Sequence, residues 1–310
     1  MATRDSILNK LDIVKKDWVL EIGGGPNPFA RSDILADKFV DDDTHRSAPL
    51  VVDRPTVICD AHYLPFLDDS FDYVFCSQIL EHLENPKLFF EEIARVGKKG
   101  YIETPNEIRE RLFGWPFHRW IVDTDKDDLA LRKNDVEQAF GVFFHRLQWE
   151  NYEFSRFCST AHDLLNVCYE WHGKPSFRFA REGEYELTDE KVSISANDVI
   201  DIVMSIPYKN KYSDRFESLK KLKRLVPKRL KNFLKQSVAS SAIGGRHTEN
   251  STYKHLLAVL ACPICKVKVD FNKDKIVCPK CGKYYEMKEG IHFMMEEDGS
   301  KCIAIPITKA

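Results

Sequence analysis

Asp17-Trp18-Val19-Leu20-Glu21-Ile22-Gly23-Gly24-Gly25-Pro26-Asn27 (residues 17–27) is the stretch on which the fold turns. Its first six residues read as a buried strand. The glycines that follow read as a tight turn whose missing Cβ atoms let the backbone approach a ligand. Working outward, Ile34–Asp37 is a second short strand and 56–59 a third, stopped by Asp60. Residues 71–76 form a fourth and 100–104 a fifth. Between the last two, Leu88, Phe89, Ile93 and Val96 recur at helical spacing, with Asn85 and Pro86 as the start. Near-continuous apolar strands separated by helical or turn segments predict an α/β fold, a doubly wound Rossmann-like parallel sheet covered on both faces.

The polar residues at the strand ends narrow the ligand. Glu21, just before the glycines, repels a pyrophosphate but accepts from an ammonium group. Asp37 ends the second strand, where a carboxylate can hold ribose hydroxyls. Asp60 and Ala61 end the third, where Asp can accept from an exocyclic amine. These carboxylates suit a cationic, phosphate-free nucleoside better than a dinucleotide.

Three strings together carry a resemblance: Val19 to Gly25, Asp60-Ala61-His62-Tyr63-Leu64-Pro65-Phe66, and Ser70-Phe71-Asp72 through Leu80-Glu81-His82-Leu83. Residues 17–106 resemble the class I S-adenosylmethionine (SAM)-dependent methyltransferases, in their type 11 branch. The resemblance implies that Glu21, Gly23 and Gly25 line the methionine end of SAM. It implies that Asp37 holds the ribose, and that Asp60 with the Ala61 backbone holds the adenine. Ser77 and Gln78 would then face the sulfonium. Two departures stand out: the family's third glycine is Asn27, and the short interval from Gly25 to Asp37 leaves Asp41 as a competing ribose acid. The resemblance also implies in-line methyl displacement, with proximity, orientation and in some cases a base supplied by the protein. His82 and His118 are the candidate catalytic residues, weighed against pocket-shaping and packing roles. His145 is read the same way. Trp115, Phe117 and Trp120 either cage an acceptor or pack a core. Cys76-Ser77-Gln78-Ile79 stands where enzymes of base amines or glutamine carry an Asn/Asp-Pro-Pro-aromatic string. That disfavours those acceptors.

Residues 107–207 are rich in Trp, Phe, His and Arg. They read as a helical and loop insertion on the acceptor side over 107–170, a helix over about 158–168, and strands that complete the sheet. From Leu219 to Lys235 there are eight Lys or Arg and no acid, with leucines at roughly helical spacing interrupted by Pro227. Three readings stay open: contact with an anionic membrane surface, contact with nucleic acid, or a solvated helix packed on the catalytic domain. Residues 237–251 have linker composition.

Cys262-Pro263-Ile264-Cys265 and Cys278-Pro279-Lys280-Cys281 are two Cys-x-x-Cys knuckles with twelve residues between them. Four thiolates at tetrahedral geometry make a closed structural Zn2+ site rather than a catalytic one. The sequence around them, from His255 and again from Cys281 to Met295, resembles the small zinc-ribbon protein that activates several tRNA, rRNA and release-factor methyltransferases. That resemblance implies an activator acting in cis.

The expected division is a methyltransferase domain over 1–207, a basic segment and linker over 208–251, and a four-cysteine zinc ribbon over 252–310. The formal net charge of −2 gives no global attraction to nucleic acid or membrane. No signal peptide and no long apolar run is visible, so a cytoplasmic protein, peripheral to membrane at most, is expected. Three functions follow from the sequence. The first is a methyltransferase of a small-molecule or glycan acceptor. The second is one of RNA or a translation protein. The third is a non-catalytic scaffold.

Overall fold

A computed structural model describes residues 7, 10–40, 48–135, 141–181, 247–272, 275–288 and 290–295. The basic run 219–235, most of the linker, Asp41 and Cys302 lie outside the described residues.

Five parallel strands form the centre of the sheet: β1 (Val19–Ile22), β2 (Ile34–Asp37), β3 (Thr56–Ile58), β4 (Tyr73–Ser77) and β5 (Lys99–Pro105). Their order is β3-β2-β1-β4-β5. The period-2 alternation of a strand sorts their side chains onto two faces. Leu20, Ile22, Val74, Cys76 and Ile102 join one core cluster, while Val19, Tyr73, Phe75 and Tyr101 join another. Helix α1 (Pro86–Val96) covers the first face with Phe89, Phe90, Ile93 and Val96. Its start is held by Asn85, whose side chain accepts from the Leu88 N–H, with Pro86 at the first helical turn where no donor is needed.

The second face is closed differently. Residues 23–33 join β1 to β2 without a helix. The apolar cover comes instead from Phe29, stacked on Phe75 at 4.1 Å, with Ile7 and Ile13 beside it. Arg31 ties this loop down. Its guanidinium donates to Asp33 Oδ2 at 3.0 Å and to the Asp17 carbonyl at 2.6 Å, both buried.

Beyond β5 the chain builds the insertion. Helix α2 (Glu107–Phe113) is followed by a hairpin of β6 (Trp120–Asp125) and β7 (Asp128–Lys133). Helices α3 (Gly141–Glu150), α4 (Tyr152–Thr160) and α5 (His162–Leu165) come next. Strand β8 (Asn166–His172) then pairs antiparallel with all of β5, and β9 (Phe177–Phe179) pairs with β7. Two expectations are corrected here. The insertion holds a hairpin as well as helices and loops. The helix expected over about 158–168 is α4, capped earlier by Asn151, then α5, then strand. Seven paired residues on the edge of β5 outweigh the helical pattern of 166–168.

Helix α6 (Glu249–Val259) begins inside the stretch of linker composition, capped by Thr248. After it come β10 (Asp270–Asn272), β11 (Lys275–Val277), β12 (Tyr284–Lys288) and β13 (Ile291–Phe293), an antiparallel meander. Strand β13 adds parallel to β3 with His292 opposite Val57, giving one ten-stranded sheet. The Met294 N–H donates to Ile58 O at 2.8 Å, and the Ala261 N–H to Pro65 O at 2.8 Å. On α6 the His255 ring stacks on Trp18 at 4.1 Å. Leu256, Leu260, Ile276 and Tyr285 belong to the same core cluster as Leu20 and Phe89. The four-cysteine element is therefore seated on an edge strand that would otherwise carry unpaired backbone groups. Among the described residues no helix is long and apolar enough to cross a membrane.

Candidate functional site

The parallel order reverses direction between β1 and β4, the topological switch point at which open α/β sheets bind ligands beyond the strand C-termini. Most of the residues expected around SAM converge there. Glu21, next to last in β1, is fully buried; its Oε2 accepts from the Phe29 N–H and the Ser32 hydroxyl, both at 2.8 Å. Its carboxylate therefore also shapes the loop. Gly23 has φ +73°, and a Cβ there would lie 2.1 Å from Ile79 Cδ1, so any other residue is both strained and obstructed. Gly25, also at positive φ, donates its N–H to Asp37 Oδ2 at 3.1 Å. Asp37 Oδ1 accepts from the Lys38 N–H at 2.8 Å. One carboxylate thus joins the turn after β1 to the turn after β2.

Asp60 stands just past β3. It accepts from the His62 N–H at 2.9 Å and from Lys38 Nζ at 2.9 Å, and its Oδ1 lies 2.5 Å from His62 Nδ1. Burial alone would raise its pKa. The bonds from His62 and Lys38 outweigh that and hold it well below the usual carboxylate range. The Asn85 N–H donates to His62 Nε2 at 3.2 Å, so His62 links Asp60 to the start of α1. Ala61 follows in the same turn, half-buried. At the end of β4 the Ser77 hydroxyl donates to Glu103 Oε1 at 3.1 Å. Gln78 has φ +60°, a strained backbone for a non-glycine residue, and its amide donates to Glu103 at 3.2 Å. Carboxylates at the ends of adjacent strands, a glycine turn and one strained residue fit a cationic nucleoside with ribose hydroxyls.

On the far side of β4 lies a second group. Leu80–His82 is a single 3-10 turn that carries Glu81 and His82. The Thr104 hydroxyl donates to Glu81 Oε2 at 2.9 Å, while buried Oε1 has no hydrogen-bond partner. Burial pushes the Glu81 carboxyl up to about 8. His118 Nδ1 lies 2.6 Å from Glu110 Oε1 of α2, and burial pushes that carboxyl to about 8 as well. The His118 ring stacks on Trp115 at 4.7 Å, and the His82 ring on Phe117 at 5.5 Å. Arg109, half-buried, donates to Asn166 Oδ1. The two expected catalytic histidines, 36 positions apart in the chain, are thus brought edge to face at 4.6 Å. His145 packs against Phe113 and Trp115. Sequence reading missed His62, Thr104 and Glu110. His62 stood in the quoted string after Asp60, whereas nothing local marks Glu110 as facing His118.

The four cysteines meet as expected. Ligand atoms of Cys262, Cys265, Cys278 and Cys281 all lie within 4.8 Å of one another. The Cys265 N–H points at Cys262 Sγ at 3.4 Å, and Tyr285 Oη lies 3.2 Å from the same sulfur. That is the donor set of a structural zinc site, supported by amide and hydroxyl donors.

Residues 36–102 match a family model described as a methyltransferase domain. A UPF0434 protein of Hahella chejuensis is 43% identical over 47 residues, which are 14% of this chain and 78% of that protein. An uncharacterized methyltransferase of Mycobacterium tuberculosis is 34% identical over 92 residues, 26% of this chain and 35% of that protein. An uncharacterized protein of Methanocaldococcus jannaschii is 36% identical over 89 residues, 28% of this chain and 42% of that one. The chain thus spans less than half the length of the last two. Fold, crevice and family match define a SAM-dependent methyltransferase domain carrying a four-cysteine zinc-binding element. The chain belongs to the UPF0434 family, joined here to that methyltransferase domain.

Proposed function

We propose that the chain transfers the SAM methyl group to a small-molecule or glycan acceptor. SAM supplies an electrophilic methyl on a sulfonium; the chain binds and orients it. In this reading Glu21, Gly23 and Gly25 border its methionine end. Asp37 takes the ribose, Asp60 and Ala61 take the adenine, and Ser77 and Gln78 border the sulfonium. His82 and His118 face the acceptor. The division into a methyltransferase portion over 1–207, a connecting segment over 208–251 and a ribbon over 252–310 belongs to the same proposal.

One observation carries the choice of acceptor. The wall beyond β4 combines the rings of Trp115 and Phe117 with two buried carboxyls, Glu81 and Glu110. Aromatic faces suit a sugar or an apolar ring. Buried carboxyls raised to about 8 offer hydrogen bonds to hydroxyls, not the cationic side chains by which phosphates are bound in RNA recognition. An RNA or translation-protein acceptor is the second reading, favoured by the four-cysteine element on the sheet edge. Peripheral contact of the 219–235 run with an anionic membrane is compatible with a lipid-linked glycan.

Radiolabelled SAM incubated with the full chain and fractionated cell extract tests this. Label in the small-molecule or glycan fraction supports the first reading. Label confined to RNA or protein overturns it in favour of the second. Calorimetric titration with SAM, lost in Asp60→Ala, tests the crevice separately.

A further inference from the structure

Glu81, His82 and His118 each present one ligand atom within 4.8 Å of the others. Two imidazoles and one carboxylate form a donor set that leaves coordination positions open for a substrate. The surrounding bonds prepare it. Glu110 engages His118 Nδ1 at 2.6 Å, so Nε2 is the ring nitrogen with which His118 can ligate. This is the carboxylate–histidine arrangement that orients metal-bound imidazoles. Thr104 holds Glu81 Oε2. Glu81 Oε1, on a side chain 1% exposed, has no hydrogen-bond partner and lies 3.8 Å from His82 Nε2. A buried carboxylate oxygen without a donor is costly and calls for a cation or a proton. Phe117 and Trp115 pack against the two imidazole rings.

We propose that Glu81, His82 and His118 bind a divalent transition-metal cation at the C-terminal end of β4, separate from the four-cysteine zinc. Glu110 and Thr104 are its positioning residues. Binding of the cation stands on this geometry alone; its use rests on the methyltransferase reading above. An acceptor hydroxyl held by the cation through oxygen loses its proton to water more readily. The oxygen lone pair then forms the bond to the methyl carbon as the methyl–sulfur bond breaks, and S-adenosylhomocysteine leaves. The acceptor class is accordingly a metal-chelating oxygen compound, such as a sugar or aromatic diol.

The test uses the full chain with its cysteine-bound zinc counted by metal analysis. MnCl2 is titrated and read by loss of the free-ion paramagnetic signal; ZnCl2 is added in parallel and counted after gel filtration. One further ion per chain is expected. Glu81→Gln and His118→Asn should weaken it by at least about tenfold, and Glu110→Gln by roughly the same factor. SAM titration of each variant reports an intact crevice. Failure of the wild type to bind either ion overturns the proposal, as does equal binding in Glu81→Gln and His118→Asn. Loss of SAM binding in the wild type would instead strike the preceding reading.

Discussion

Asp60 and Glu81 stand on either side of the same sheet edge, both buried, and they behave oppositely. Asp60 receives the His62 N–H, the Lys38 ammonium and the His62 ring, and stays ionised well below the ordinary range. Glu81 receives one hydroxyl and is pushed up to about 8. Burial raises both; the number of donors decides which way each goes. The side that holds a carboxylate anionic is the side suited to a cationic nucleoside. The side short of donors is the side suited to a cation or an acceptor proton.

Four experiments sharpen or break this contrast, and the largest effect is expected away from both carboxylates. Four thiolates close together carry the same problem in stronger form. Cys278→Ser, or zinc removal by a strong chelator, should lower the melting temperature by about 10 °C or more, because zinc binding is folding free energy here. An unchanged melting curve after verified zinc loss would sink the structural role. Next, Gly23→Val should cut SAM affinity at least about 100-fold, some 2.7 kcal/mol, through backbone strain and the clash with Ile79. Micromolar binding retained by a folded variant would remove the turn from the site. Asp60→Asn should cost about 1–3 kcal/mol in denaturant unfolding, since it strips a buried network of its charge. Glu81→Gln should be the mildest to stability, within about 1 kcal/mol of wild type in protein that carries the cysteine-bound zinc and no further ion. A loss as large as that of Asp60→Asn would break the contrast.

The pH dependence adds a fifth check at the outer edge of β5. His162 lies beside the Cys168 thiol and the Glu103 carboxylate, 3.8 and 3.0 Å away, and its pKa is raised to about 10. A cationic partner with a raised folded pKa stabilises fully below its unfolded value near 6.5 and loses that contribution as pH climbs towards 10. Unfolding stability should therefore fall across that window by at most about 1.4 kcal/mol per pH unit. His162→Gln should flatten the fall, and identical slopes in the two proteins would exclude this pair as the cause.

Residues 17–106 announced their fold because every level agrees there. The apolar runs are continuous, since both faces of a parallel strand are buried, and the acids fall at strand ends where the chain leaves the core. Cysteine spacing marked the zinc site because each knuckle is a local structure. The hairpin of β6 and β7 was hidden by its aromatic and charged neighbours. Strand β8 was hidden by a helical pattern that only pairing with β5 overrides.

The sequence alone determined the methyltransferase sheet, the glycine turn with its acids, and the four sulfur ligands, all encoded within runs of a few residues. Only the tertiary structure decided that β13 completes the edge beside β3, that Phe29 stands in for a helix, and that Glu110 and Thr104 reach His118 and Glu81. Those contacts join residues from separate elements, and their energy depends on burial and donor supply, which no local pattern records.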